Sequence, residues 1–156
     1  MGNLHKFEHK PACKTILKLL LGFALVFHGL FVSAQKQVTE KSKPKLEVYY
    51  FHTSERCPID QAIEDHTRKL MQTDYSKEIR DGTITFRVLN TGDKANANIT
   101  SKFEINAQAL YLVTFVNGKE VKNDLTEFAF SCAQNNPGKF ISRMKAEINS
   151  TIKQGR

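Results

Sequence analysis

The chain has 156 residues, a formal net charge of +7, 40% hydrophobic residues and 25% charged residues. This length suits one domain, and its 11 phenylalanines and 4 tyrosines supply enough large apolar side chains to fill a core, so extensive disorder and collagen-like structure are excluded. Three cysteines are too few for a small scaffold held together by disulfides.

The first 34 residues have a composition of their own. Four lysines, at positions 6, 10, 14 and 18, come before an apolar run over residues 19–32, and Ser33 and Ala34 follow it. A positive flank, a short apolar run and small residues at its end are typical of a signal peptide, whereas a membrane-spanning helix needs about 20 apolar residues. We predict that residues 1–34 form a signal peptide cleaved after Ala34 or, alternatively, an uncleaved N-terminal membrane anchor. Either alternative exports the domain, which we expect in the periplasm or anchored to a membrane and facing the periplasm.

Most of the positive charge lies before the folded domain. The leader has four lysines and one glutamate, a net charge of +3, and residues 35–45 form a basic linker with four more lysines and one glutamate. The domain that follows lacks the basic stripe with stacking aromatic residues that nucleic-acid binding requires. We therefore expect no nucleic acid as a partner, and contact with a membrane only through an uncleaved leader.

The domain, residues 46–153, begins with a strand and a helix. Residues 46–51 are rich in the β-branched and aromatic side chains that are typical of a buried strand. A helix is predicted to start near Cys57 or Pro58, because apolar residues then recur every three or four positions and proline fits the first helical turn. Asp81-Gly82 indicates a turn, and the alternation over residues 83–89 predicts a second strand.

The second half of the domain predicts a short helix, a hairpin and two closing helices. The short helix is expected over residues 97–103, and the most apolar strand over residues 110–116. Asn117-Gly118 predicts a hairpin turn because both residues tolerate a positive φ, and residues 119–122 return as an edge strand. The closing helices are expected over residues 125–133 and 137–152. The apolar stripe of the last helix consists of Phe140, Ile141, Met144, Ile148 and Ile152.

The predicted order of elements is β-α-β-α-β-β-α. A strand, a crossover helix and a parallel strand, followed by an antiparallel hairpin and a closing helix, form the thioredoxin-like layout. We therefore predict an α/β domain of the thioredoxin-like class, with a central mixed sheet flanked by helices. In that layout the first helix presents its N-terminus at the surface.

The candidate thiol is Cys57, at the start of the first helix. A cysteine there lies near the positive end of the helix dipole and near unpaired backbone N–H groups, which favour the thiolate. The segment reads Arg56-Cys57-Pro58-Ile59-Asp60, so an aspartate stands one helical turn after the thiol, where a two-cysteine motif has its resolving cysteine. We predict that Asp60 replaces the resolving cysteine and that this motif cannot support a two-cysteine redox cycle.

Charges of opposite sign surround this thiol in the sequence. Asp60 disfavours the thiolate by repulsion, whereas Arg56 is a candidate stabiliser, and His52 or His66 would act in the same direction if protonated and near. Asp60 also has a structural interpretation, since an acid in the first helical turn accepts hydrogen bonds from backbone N–H groups. These charges leave two interpretations of Cys57 open, a reactive monothiol and an unreactive remnant of a redox motif.

The remaining candidate residues indicate less chemistry. Cys132 is interpreted as a small buried side chain in a helix, with a Cys57–Cys132 disulfide as an alternative in an oxidising compartment. His52 and His66, with one cysteine nearby, do not match the spacing of metal ligands. The sequence has no Gly-rich phosphate loop and no nucleophile elbow. We therefore expect neither a metal nor a cofactor.

Five segments of the domain resemble one family. They read Lys45-Leu-Glu-Val-Tyr-Tyr-Phe-His52, Arg56-Cys57-Pro58, Ala62-Ile63-Glu64, Asp124-Leu-Thr-Glu-Phe-Ala-Phe130 and Asn135-Asn136-Pro137-Gly138-Lys139-Phe140. In these segments the chain resembles the small exported bacterial thioredoxin-like proteins described as nitrophenyl compound nitroreductase subunits, whose genes are often found with arsenic-resistance genes. The resemblance implies a thioredoxin fold and an accessory role in thiol–disulfide exchange or electron transfer.

Two positions depart from the pattern of that family. Its members usually have cysteine at both ends of the four-residue motif, whereas this chain has Asp60 at the second. Residues 106–110 also lack the proline that active thioredoxins place opposite the motif. We therefore predict an exported thioredoxin-like protein with a degenerate active site, which serves as an accessory thiol-redox module or binds a protein partner, one with a thiol in the redox case. The alternative is a monothiol oxidoreductase that uses Cys57 for mixed-disulfide exchange.

Overall fold

The computed structural model describes residues 43–154, so the predicted leader and most of the predicted linker lie outside the described residues. The helices and strands are, in chain order, β1 (Leu46–His52), α1 (Pro58–Thr73), α2 (Ser76–Asp81), β2 (Ile84–Asn90), a 3₁₀ turn (Lys94–Asn96), α3 (Ala97–Phe103), β3 (Ala109–Val116), β4 (Lys119–Asp124), α4 (Thr126–Cys132) and α5 (Pro137–Gln154). Among these helices, none has the length and apolar character that crossing a bilayer requires.

The four strands form one mixed sheet in the order β2-β1-β3-β4. β1 and β2 are parallel, with Leu46 opposite Ile84 and His52 opposite Asn90. β3 runs antiparallel to β1, and β4 runs antiparallel to β3. A crossover through α1, an antiparallel hairpin and a closing helix form the topology expected from the sequence. The thioredoxin-like α/β fold class is therefore confirmed.

Apolar residues cover both faces of β1, one of the two inner strands of the sheet. Leu46 and Tyr50 of β1 belong to a large hydrophobic cluster with buried residues of α1, α4 and α5. The alternate residues Tyr49 and Phe51 belong to a smaller cluster on the other face, where Phe103 of α3 is buried against them. Burial on both faces explains why β1 is an almost continuous apolar run instead of an alternating one.

Helix α1 begins where its sequence signals predict. Cys57 is the N-cap residue and Pro58 is the first helical residue, at which the missing N–H of proline costs no hydrogen bond. The buried side chains of α1 include Ile63, Leu70 and Met71, which pack in the large cluster. The amphipathic pattern therefore orients the helix and holds its N-terminus at the carboxyl end of β1.

The structure departs from the sequence prediction at α2. This helix has six residues and a single strongly apolar side chain, Ile79, so no periodicity marks it in the sequence. The hairpin between β3 and β4 is as predicted, because Asn117 and Gly118 have φ values of 51° and 76°. On α5 the predicted stripe is buried at Phe140 and the residues one and two turns on, while its flanking isoleucines are partly buried.

Candidate functional site

Cys57 connects the loop that follows β1 to the first turn of α1. Its backbone is extended, with φ −90° and ψ 165°, and its side chain is exposed. The first backbone N–H groups of a helix have no partner within the helix, and they give this end a partial positive charge. An exposed thiol therefore lies at a helix N-terminus, in the position that the sequence predicts.

Asp60 lies one turn along α1 and is fully buried. Its Oδ2 accepts a hydrogen bond of 3.0 Å from the backbone N–H of Cys57 and one of 3.2 Å from Nε2 of Gln108. Its Oδ1 is buried as well and has no hydrogen-bond partner among the described residues. The structural interpretation of Asp60 as an acceptor in the first helical turn is therefore confirmed. The N–H group that it binds belongs to Cys57, the residue with the candidate thiol.

Gln108 ties the Cys57 loop to the strand across from it. It immediately precedes β3, and its Nε2 donates to Oγ1 of Thr53, at 3.2 Å, as well as to Asp60. Thr53 in turn donates to the backbone oxygen of Glu55, at 2.7 Å. One glutamine thus links the loop after β1, the first turn of α1 and the start of β3, which is the segment where active thioredoxins have a proline.

Arg56, the predicted stabiliser of the thiolate, is engaged along α1. Its Nη2 donates to Oε2 of Glu64 at 2.7 Å and makes a longer bond of 3.4 Å to the backbone oxygen of Asp60. Arg68 donates to the other oxygen of Glu64 at 2.6 Å. Partial burial acts to raise the pKa of Glu64, but the hydrogen bonds from the two arginines hold it below its ordinary value. Glu64 therefore remains charged and holds the Arg56 guanidinium.

Tyr50 supports the first turn of α1 from the sheet. Its hydroxyl donates to the backbone oxygen of Asp60 at 3.0 Å, and the Arg56 guanidinium lies 5.8 Å from the centre of its ring. Burial, together with the nearby charge of Asp60, raises the pKa of Tyr50 well above its ordinary value, although Arg56 acts in the opposite direction. The phenol therefore stays protonated and acts as a fixed hydrogen-bond donor.

An open cleft of about 370 Å³ lies beside the thiol. Its lining consists of Thr53, Glu55, Arg56, Cys57, Asp60 and Gln108. All three residues singled out by the sequence therefore meet at one place. Cys57 provides the thiol of this cleft, and fixed polar groups surround it.

The two histidines do not line this cleft. The Nδ1 atom of His52 is 2.8 Å from the backbone oxygen of Thr53, and its ring stacks near Tyr50. His66 lines a separate groove between α1 and α5, with its ring 6.1 Å from that of Phe140. The His66 position therefore gives no support to its predicted role beside the thiol.

Cys132 belongs to the core, as the sequence predicts. Its side chain is buried in the large hydrophobic cluster, and its Sγ lies 3.1 Å from the backbone oxygen of Phe128. Both cysteines of the described part, Cys57 and Cys132, are free, so the alternative of a disulfide between them is not found in this structure.

Sequence reasoning does not identify Gln108, Thr53, Tyr50 and Glu64 as parts of the site. Glu64 has a local signal, because it lies four residues before Arg68 on one helix and so predicts an ion pair. Gln108 and Tyr50 carry no such signal, since their contacts with Asp60 join residues far apart in the chain.

Comparison with models of known protein families gives no match, and comparison with curated proteins gives none either. Among solved structures, the chain is similar to the crystal structure of Chlamydomonas reinhardtii thioredoxin f2, with 26% identity over 56% of this chain and 70% of that chain and a TM-score of 0.38. The strand order and directions described above carry the fold assignment: a thioredoxin-like domain with an exposed cysteine at the N-terminus of its first helix.

Proposed function

We propose that this protein is an exported thioredoxin-like module with a degenerate active site, which engages a protein partner at the Cys57 cleft and supports thiol-redox or electron-transfer chemistry as an accessory. The observation that carries the proposal is the fully buried carboxylate of Asp60, bonded to the N–H of Cys57 at 3.0 Å. It occupies the position at which a resolving thiol would have to stand.

A two-thiol cycle needs a second sulfur within reach of the first. Two bridged cysteines have Cα atoms within about 7 Å, which one helical turn provides. The other cysteine of the described part, Cys132, is enclosed in the core instead. The module we propose therefore acts through one thiol or through binding alone. The resemblance to nitroreductase subunits supports an accessory role of this kind, in which a partner supplies the missing redox group.

A second candidate function is that of a monothiol oxidoreductase. The exposure of Cys57 at a helix N-terminus favours it, because such positions stabilise the attacking thiolate. In this reaction the Cys57 thiolate attacks one sulfur of a disulfide, a new S–S bond forms, the old one breaks, and the second sulfur leaves as a thiolate that takes a proton from water. A second thiol from the partner or from solution would then release the product.

The test compares the full chain with two variants in the reduction of insulin by dithiothreitol, followed by turbidity. We expect the wild type and Cys57→Ser to leave the rate unchanged, because neither has two cysteines in the four-residue motif, and Asp60→Cys to accelerate it several-fold. Acceleration by the wild type, lost in Cys57→Ser, would contradict the accessory role.

A second measurement separates the two candidate functions. The full chain is incubated with oxidised glutathione at high salt, which screens repulsion between charges, and the peptide that contains Cys57 is analysed by mass spectrometry. Rapid formation of the glutathione adduct on Cys57 supports the monothiol oxidoreductase. Its absence, with Cys57 still open to alkylation by iodoacetamide, supports a module that acts by binding.

A further inference from the structure

Two clefts meet at Gln108, and their charged lining is predominantly acidic. The cleft beside Cys57 includes Glu55 and Asp60. A second depression of about 200 Å³, on the other side of Gln108, includes Glu104 and Asp124. Because Gln108 lines both depressions, they are neighbours on the surface, and we call the two together the acidic groove. Cys57 lines the first of the two depressions.

Few positive charges offset these acids. Glu55, Glu104 and Asp124 are exposed, and none of them forms an ion pair within the described residues. Arg56 is the one cation among the described residues that line the groove, and its guanidinium is bound to Glu64 at 2.7 Å. The residues that line the groove therefore have an excess of negative charge.

The floor of the groove provides a second and independent observation. Asp60 is fully buried beside Cys57, and its Oδ1 has no donor among the described residues. Buried polar atoms in folded proteins almost always have a hydrogen-bond partner, and an unpaired one is costly. An ammonium or guanidinium group that binds beside Asp60 would bring a positive charge and N–H donors next to this carboxylate.

We propose that the acidic groove receives a polypeptide segment of the partner that has a lysine or arginine beside its cysteine. This inference rests on the proposed function, in which a partner binds at Cys57, and it specifies that the bound segment of the partner is positively charged. In the redox case, that cysteine enters as half of a disulfide, and the exchange follows the balance given above. Glutathione, whose carboxylates would face the acidic groove, is disfavoured relative to a basic peptide.

The test measures the electrostatic potential at Cys57 with two methanethiosulfonate reagents of similar size. One has a trimethylammonium group and the other has a sulfonate group. In both, the Cys57 thiolate attacks the sulfenyl sulfur, an S–S bond forms and methanesulfinate leaves. The full chain is treated with each reagent, and the adduct on the Cys57 peptide is quantified against time by mass spectrometry. Because these reagents modify any accessible thiol, the rates do not depend on a redox function.

We expect the ratio of the cationic to the anionic rate to exceed the ratio measured on N-acetylcysteine by roughly tenfold at low salt, and to approach it at high salt. The combined variant Glu55→Gln, Glu104→Gln and Asp124→Asn should lose most of this excess. Its matched control, Asp65→Asn, Glu78→Gln and Asp81→Asn, removes the same charge outside the groove and should keep it. A wild-type ratio equal to the reference, or an equal loss in both combined variants, overturns the inference.

A final comparison uses symmetric peptide disulfides with either lysine or glutamate on both sides of the cysteine. Faster adduct formation with the lysine peptide supports the inference for a polypeptide partner, and faster reaction of the glutamate peptide overturns it. If the thiosulfonates show the cation preference but neither peptide disulfide reacts, the charge of the groove stands and the monothiol oxidoreductase is refuted. The failures of the two proposals are thereby separated.

Discussion

Replacement of Asp60 by alanine tests the contact on which the candidate site depends. The change removes a fully buried carboxylate that accepts two hydrogen bonds, at 3.0 Å from the Cys57 N–H and at 3.2 Å from Gln108. Loss of an acceptor at a helix N-terminus costs about 1 kcal/mol, and loss of the bond from Gln108 costs about 1 kcal/mol more. We therefore expect a loss of about 2 kcal/mol in the free energy of unfolding, and a fall of about 8 °C in Tm for a domain of this size.

The assay is urea unfolding followed by circular dichroism, with three further variants. Asp60→Asn keeps an oxygen acceptor and should lose about 1 kcal/mol or less. Asp65→Ala removes an exposed acid from the same helix and should stay within about 0.5 kcal/mol of the wild type. A double-mutant cycle of Asp60→Ala with Gln108→Ala should give a coupling energy of about 1 kcal/mol.

One result would refute this reasoning outright. Burial of a carboxylate has a large desolvation cost, which can exceed what its hydrogen bonds contribute. If Asp60→Ala is as stable as the wild type or more stable, the hydrogen bonds do not repay that cost. Asp60 would then have a role other than stability. A coupling energy of zero between Asp60 and Gln108 would show that the hydrogen bond between them does not stabilise the fold.

Three further predictions concern other parts of the chain. Partial burial acts to raise the pKa of Glu64, but hydrogen bonds from two arginines hold it below its ordinary value. The stabilisation that Glu64 contributes to the folded state is therefore present above its pKa in the unfolded chain, and it is lost as the pH falls through its pKa in the folded chain. Glu64→Gln should therefore be less stable than the wild type at pH 7 by about 1 kcal/mol or less, and urea unfolding at pH 3 should show no difference; a difference that persists there contradicts the assignment. Gly118→Ala should destabilise the hairpin by about 1 kcal/mol because of its φ of 76°, whereas Gly138→Ala, where an added Cβ also meets nothing within 4 Å, should be neutral or stabilising in thermal unfolding; equal effects would argue against backbone strain. If the predicted leader is a signal peptide, N-terminal sequencing of the protein produced in a bacterial host should begin at Gln35, and an intact leader would favour the membrane anchor.

The local elements of this fold follow from short-range signals in the chain. The proline at the first position of α1, the apolar spacing that buries Ile63 and Leu70, and the Asn117-Gly118 turn each act within a few residues, and the structure has each of them where the sequence predicts it. The order of these elements was enough to predict the thioredoxin-like class, because few topologies accommodate a crossover helix followed by a hairpin.

The candidate site depended on contacts between distant parts of the chain. From the sequence, Asp60 is an acid near a thiol and Arg56 is a cation beside it, and both interpretations assume that neighbours in sequence interact. In the folded chain Asp60 is hydrogen-bonded to Gln108, 48 residues away, and Arg56 is held by Glu64, eight residues further along the chain. Which charges meet is set by how the sheet brings the start of β3 to the N-terminus of α1. The spacing of residues along the chain does not give the distance between the start of β3 and the N-terminus of α1. The acidic groove is therefore formed only when the strands pair.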